Sequence, residues 1–165
     1  MRCQTKYVKS AVDGELATNM YNFLRWNIEW EDGVMSRKSG FTRKAKALNI
    51  SDIIEVDEMI MDTISKLTST KYLIRGIYLN FYENGEHHTP NHIHKGTHQL
   101  VISLGETRTL KVGNKDYIME NGDAIIFGGS SHGIPKDNSI NGRISIATFM
   151  IPTDELLKKF ELLTV

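Results

Sequence analysis

The chain has one cysteine, Cys3, in 165 residues, so no intrachain disulfide can staple it. A lone thiol near the terminus suits a reducing compartment. Excess charge is absent too: 20 lysines and arginines balance 20 aspartates and glutamates. Proteins that work by coating nucleic acid or an anionic membrane are normally basic, so global charge argues against that class and leaves only a local patch. No apolar run approaches the ~20 residues of a bilayer-spanning helix. The opening MRCQTKYVKSAVDGE lacks the apolar centre of a secretory signal. Internal repeats, low-complexity tracts and linkers are missing as well. The expectation is a soluble intracellular protein, cytoplasmic or nuclear, without a membrane partner, and nothing in the composition calls for an obligate protein partner.

What is present is the makeup of an ordinary globular domain, 40% hydrophobic and 24% charged. This length buries roughly 70% of the surface of the unfolded chain. The chain divides by period. From Asp13 to about residue 28, Leu16, Met20, Phe23 and Leu24 recur at helical spacing, and Asp13 is placed to cap the first turn. A second helix is expected from Ser51 to about Leu67, with Ile53, Val56, Ile60, Ile64 and Leu67 as its apolar stripe and Asp52 and Glu55 at its positive end. Between them GVMSRKSGFTRKAKAL is basic and aperiodic, an irregular or short-stranded excursion. From Lys71 onward come short segments rich in Ile, Val, Tyr and Thr: YLIRGIYLNFY, HQLVISL, TRTLKV, DYIM, DAIIF and RISIATFM. Gly, Asn, Pro and Ser separate them, the grammar of a β-sandwich or barrel. LKV-GN-KDYIM predicts a hairpin, with Gly113 and Asn114 able to take positive φ. A short helix over Thr153–Leu163 closes the chain.

The expected fold is therefore α+β but mainly β: a double-stranded β-helix, or jelly roll, with two N-terminal helices packed outside it and a short C-terminal helix. We read a single domain in three parts. These are a helical N-terminal extension with a basic lid-like stretch (1–70), a jelly-roll core (71–150) and a C-terminal helix (151–165).

The histidines cluster. Five of the six lie between residues 87 and 98, and the sixth is His132. On a strand, His92 and His94 point to the same face, as two adjacent metal ligands must. His132 follows 38 positions after His94 in GGSSHGI, where a sandwich folding back on itself brings it opposite the pair. Three such ligands make a facial site with open positions. His87 and His88, in the turn ENGEHHTPN, read as solvated loop residues, and His98 as a hydrogen-bonded sheet histidine.

At this point the residues resemble a family. LNFYENGEHHTPNHIH, Leu79–His94, is similar to the core of the AlkB-like iron(II)/2-oxoglutarate dioxygenases, in which N-x-Y is followed by a turn and then H-x-D. VISLG at 101–105, ENGDAIIFGG at 120–129, His132 before Gly-Ile-Pro and Arg143 in RISIATF follow in the family's order. The tryptophan-bearing RWNIEWEDG also looks like the family's N-terminal region. The resemblance implies Fe(II) and 2-oxoglutarate as cofactors, O2 as co-substrate, and oxidative hydroxylation or demethylation, with a nucleic-acid base among the substrates to consider. It makes His92 and His132 iron ligands, with His94 in place of the family's aspartate. Asn80 and Tyr82 would hydrogen-bond 2-oxoglutarate, and Arg143 would pair with its distal carboxylate, a bidentate contact that lysine cannot match.

Two departures stand out. His94 replaces an anion by a neutral ligand, which raises the charge of the site. Met150 stands where the family's strand usually carries another arginine. The basic stretch from Ser36 to Lys46 holds Arg37, Lys38, Arg43, Lys44 and Lys46 around Phe41. In AlkB-like proteins the corresponding region folds over the active site, which makes Arg37, Phe41, Arg43 and Lys44 the substrate-binding candidates; a solvated loop is the plainer alternative. A second likeness is to cupins, through PNHIHKGTHQLVISLG and GDAIIFGGSSH, but the cupin glutamate is His98 here and the expected proline is Gly128. The rival functions are thus a catalytically impaired metal- or nucleic-acid-binding relative and a cupin-type metalloenzyme.

Overall fold

In the computed structural model, which describes residues 3–34 and 40–163, the change of period along the sequence becomes a change of layer. The elements run β1 (Lys6–Val8), α1 (Gly14–Asn27), β2 (Glu31–Val34), β3 (Phe41–Leu48) and α2 (Ile54–Leu67). Then follow β4 (Tyr72–Tyr82), β5 (Thr89–His92), β6 (His98–Gly105), β7 (Arg108–Val112), β8 (Lys115–Met119), β9 (Ala124–Phe127), β10 (His132–Ile134), β11 (Arg143–Pro152) and α3 (Thr153–Leu163). A seven-stranded sheet has the order β1-β9-β6-β11-β4-β3-β2, and a four-stranded sheet the order β5-β10-β7-β8. The pairings within both are antiparallel. This is the mainly β, two-sheet jelly roll expected from the sequence.

The long strands of the larger sheet carry two different faces. Ile77, Leu79 and Phe81 of β4, Leu100, Ile102 and Leu104 of β6, and Ile144, Ile146 and Met150 of β11 share one apolar cluster with α1 and α2. Each such side chain contributes roughly 1.5–3 kcal/mol by leaving water. On the other face Tyr82, Val101, Ile125 and Phe127 meet Leu110, Val112, Met119 and Ile134 of the smaller sheet. That second cluster closes only part of the space between the sheets, and the remainder is a cavity.

Four expectations are corrected. Asp13 does cap α1, accepting from the amides of Glu15 (3.1 Å) and Leu16 (3.3 Å). The helix buries Ala17, Met20 and Leu24, however, while Leu16 and Phe23 stay 51% and 46% exposed on the adjacent face. The second helix starts at Ile54 rather than Ser51. Asn49 donates its amide to Asp52 and Ser51, at φ 74°, donates to Asp57, and these bonds close a turn first. The basic excursion contains a full strand, β3, paired along β4. Its lysines are partners of nearby acidic residues, Lys44 with Glu83 just past β4 and Lys46 with Glu31 of β2. Residues 1–70 therefore do not form a helical extension alone, since β1, β2 and β3 belong to the larger sheet.

The hairpin after β7 has two turn residues, and only Gly113 (φ 58°) takes a positive φ, the pattern of a type II′ turn. No helix among the described residues is long and apolar enough to cross a membrane.

Candidate metal centre

Strands β5 and β10 pair with His132 opposite His92. The register slips between His132 and Ile134, a bulge of the kind that re-aims side chains beside functional sites. Gly133 is required there, because a Cβ would run into the Thr89 carbonyl and the Asn91 side chain. His94 lies just past β5, with Ile93 turned outward between the two histidines. The strand alternation thus persists beyond the last ladder bond. Ligand atoms of His92, His94 and His132 all lie within 4.8 Å of one another.

The donor set fits a first-row metal ion. Two nitrogens about 2.1 Å from one ion at right angles stand about 3 Å apart, and His92 Nε2 and His94 Nε2 are separated by 2.9 Å. His92 Nδ1 lies 2.8 Å from the Pro90 carbonyl and His132 Nδ1 lies 2.9 Å from that of Ser130. Each Nδ1–H donates to the carbonyl, which fixes the tautomer and leaves the Nε2 lone pair for the metal. Burial, then the neighbouring imidazoles, push the His132 pKa down to about 4, and burial with His92 lowers that of His94. Both rings are held neutral, the ligand form. Phe127 packs on His132 (4.8 Å between centroids) and Phe149 on His94 (4.7 Å), which limits their rotation.

From the histidines a cavity of about 440 Å³ extends across the inner face of β4, β6 and β11. Arg143 lines it and is 0% exposed. Its Nε donates to Ser103 Oγ at 2.8 Å, while Nη1 and Nη2 have no partner. Burial pushes its pKa down to about 10. Burying an unpaired cation is costly, and removing its own water leaves the two terminal nitrogens to a ligand. A carboxylate matches that fork in charge and in shape. The ring of Tyr82 lies 5.4 Å from this guanidinium, and its hydroxyl bonds Thr89 Oγ1 at 2.7 Å. Asn80 lines the same space, its Oδ1 accepting from Arg43 Nε (2.8 Å) and its Nδ2 facing Ser145 Oγ at 3.4 Å. The structure thus gathers His92, His94, His132, Asn80, Tyr82, Arg143 and Arg43 around one cavity.

Other sequence candidates lie elsewhere. Lys44 turns away to Glu83, Phe41 stacks edge-on against His87 (5.0 Å), and Arg37 lies outside the described residues. His88 bonds the Glu86 carbonyl, and His98 bonds the Tyr72 hydroxyl at 3.0 Å. Met150 belongs to the helix-side cluster, so the arginine's usual place does not face the cavity, whereas Phe149 does.

Several residues in or behind the cavity wall were not singled out from sequence: Gln99 and Ser145 line it, Ser103 holds Arg143, and Arg108 lies against Tyr82. Ser103, Ser145 and Gln99 are polar positions inside otherwise apolar strands, and that interruption is their signal. Gln99 is 2% exposed with an unpartnered Nε2. Arg108 gives no such signal. It is buried, its guanidinium lies 5.4 Å from the centre of the Tyr82 ring, and it ties the 84–87 turn to residues 135–137 through the carbonyls of Asn84, His87 and Pro135 and the carboxylate of Asp137.

No family model matches the chain, and no curated protein does. Solved structures do. A prolyl-4-hydroxylase of Pseudomonas putida aligns over 90% of this chain and 92% of its own, with a TM-score of 0.64 at 13% identity. A prolyl hydroxylase of Trichoplax adhaerens, in complex with a fragment of the hypoxia inducible factor oxygen degradation domain, covers 92% and 84% with a TM-score of 0.63 at 12% identity. An oxidoreductase of the 2OG-Fe(II) oxygenase family from Burkholderia pseudomallei covers 89% and 84%, with a TM-score of 0.65 at 14% identity. These likenesses establish architecture: the chain has the jelly-roll fold of the 2-oxoglutarate/iron(II) oxygenases.

Proposed function

We propose that this chain is an iron(II)- and 2-oxoglutarate-dependent oxygenase that hydroxylates or demethylates its substrate. One observation carries the reading: a fully buried guanidinium with two unpartnered terminal nitrogens lines the same cavity as three converging imidazoles. Bound iron(II) and 2-oxoglutarate would supply the activation of O2, which takes two electrons as the keto acid loses CO2 to become succinate and two more from a substrate C–H bond.

The chain's own residues do the rest. His92, His94 and His132 hold the ion through Nε2. Arg143 pairs with the distal carboxylate, aimed by Ser103, whose hydroxyl takes its Nε–H. Asn80 offers its amide protons to the keto acid, since Arg43 already occupies its oxygen. The Tyr82 hydroxyl, anchored on Thr89, closes the same wall. Val101, Leu110 and Ile134 give the cavity an apolar lining. The finer AlkB-like assignment is supported by the cavity positions of Asn80, Tyr82 and Arg143. A nucleic-acid base as substrate draws on Phe41 near the 83–88 turn and Arg43 within the cavity. An intracellular setting fits the single free thiol, Cys3.

The test is direct. Adding 2-oxoglutarate to iron(II)-loaded protein without oxygen is expected to raise the visible charge-transfer band of a chelated keto acid, and admitting oxygen to release succinate. A band without succinate identifies the impaired relative, and no band together with an unaltered Arg143→Ala variant identifies the cupin-type enzyme. His94→Asp is expected to strengthen iron-dependent turnover. A loss of turnover would show dependence on the third imidazole.

A further inference from the structure

Two guanidinium groups face the cavity, and 2-oxoglutarate accounts for only one of them. Arg143 sits on β11 and Arg43 on β3, with β4 between them. Arg43 donates Nε to Asn80 Oδ1 at 2.8 Å and Nη1 to Thr42 Oγ1 at 3.0 Å, both neutral acceptors. The next lysines of β3 turn to Glu83 and Glu31 and are neutralised there. Arg43 has no such partner among the described residues. No aspartate or glutamate among them lines the cavity either.

Charge then decides. With His94 in the third ligand position, an iron(II) ion on three neutral imidazoles keeps both its charges, where a carboxylate would cancel one. Add one charge from each arginine, and the two carboxylates of 2-oxoglutarate leave the cavity strongly positive. In a partly dry space such an excess attracts anions and repels cations. Tyr78, which lines the same cavity as Arg43, stands 46% exposed and packs edge-on against Phe149 at 6.0 Å, an apolar wall beside the small Ala147. A volume of about 440 Å³ is that of a small-molecule site.

We propose that the primary substrate is itself an anion, whose carboxylate or phosphate docks on Arg43 while its apolar part lies against Tyr78 and Phe149. The inference rests on the oxygenase reading above, in which 2-oxoglutarate occupies Arg143.

The test uses iron(II)-loaded protein without oxygen and with saturating 2-oxoglutarate, whose visible band reports that Arg143 is occupied. Two matched pairs serve as probes, phenylacetate against phenylacetamide and AMP against adenosine, with binding measured by calorimetry. At least one anion is expected to bind about tenfold tighter than its neutral partner without bleaching the band. Arg43→Met is expected to erase that preference and Arg43→Lys to restore part of it. The responding pair tells carboxylate from phosphate. Equal binding within both pairs, no binding of either anion, a preference that survives Arg43→Met, or an anion that bleaches the band by displacing 2-oxoglutarate overturns the proposal. Absence of the band before any probe is added overturns the oxygenase reading instead.

Discussion

The outer and inner faces of β4, β6 and β11 are made from alternate residues of the same three strands, yet they obey different rules. Outside, Ile77, Leu79, Phe81, Leu100, Ile102, Leu104, Ile144 and Ile146 are closed over by α1 and α2. Inside, Asn80, Tyr82, Gln99, Ser103, Arg143 and Ser145 are just as thoroughly buried, but polar. A polar group away from water costs free energy unless it is bonded, and Arg143 and Gln99 retain unbonded donors. The outer face stabilises the fold, and the inner face gives up stability to hold donors ready for a ligand.

That contrast can be broken by substitution on either side. Leu79→Ala, on the outer face, is expected to cost about 2–5 kcal/mol in chemical denaturation and to leave 2-oxoglutarate affinity of the folded protein unchanged. Arg143→Met, one strand away and equally buried, is expected to weaken 2-oxoglutarate binding by roughly 100-fold while stability stays level or rises, because the desolvated cation is gone. A parallel fall in stability would make Arg143 a structural residue and erase the distinction. Ser103→Ala removes the acceptor that aims Arg143, and about 1 kcal/mol, or some fivefold in 2-oxoglutarate affinity, is expected to go with it. Asp13→Ala sharpens the comparison from the far side. It removes the cap of α1 and is expected to lower stability by about 1 kcal/mol without shifting the charge-transfer band.

Much of the candidate site was legible because strand alternation is a local rule. His92 and His94 share a face by their spacing alone, and Asn80 and Tyr82 do so for the same reason. Arg43 and Lys44 were indistinguishable in a basic run. The pairing of β3 with β4 separates them, one toward the cavity and one toward Glu83. Phe149 and Met150 fall on opposite faces by plain strand alternation, which runs unbroken through their pairing with Gln99 and His98 of β6. Leu16 and Phe23 obeyed helical spacing and still missed the core, because a helix with several apolar residues does not declare which face the sheet will cover.

The chain alone pointed to most of its helices and strands from Lys71 onward, to its two-sheet class and to the residue types able to bind a metal, since periodicity, capping and ligand chemistry act over a few neighbouring residues. Only the tertiary structure decided that His132 lies opposite His92, that Arg143 keeps two donors free, and that Arg43 rather than Lys44 enters the cavity. Those outcomes depend on which strands pair and in what register, and register is a property of the packed sheet.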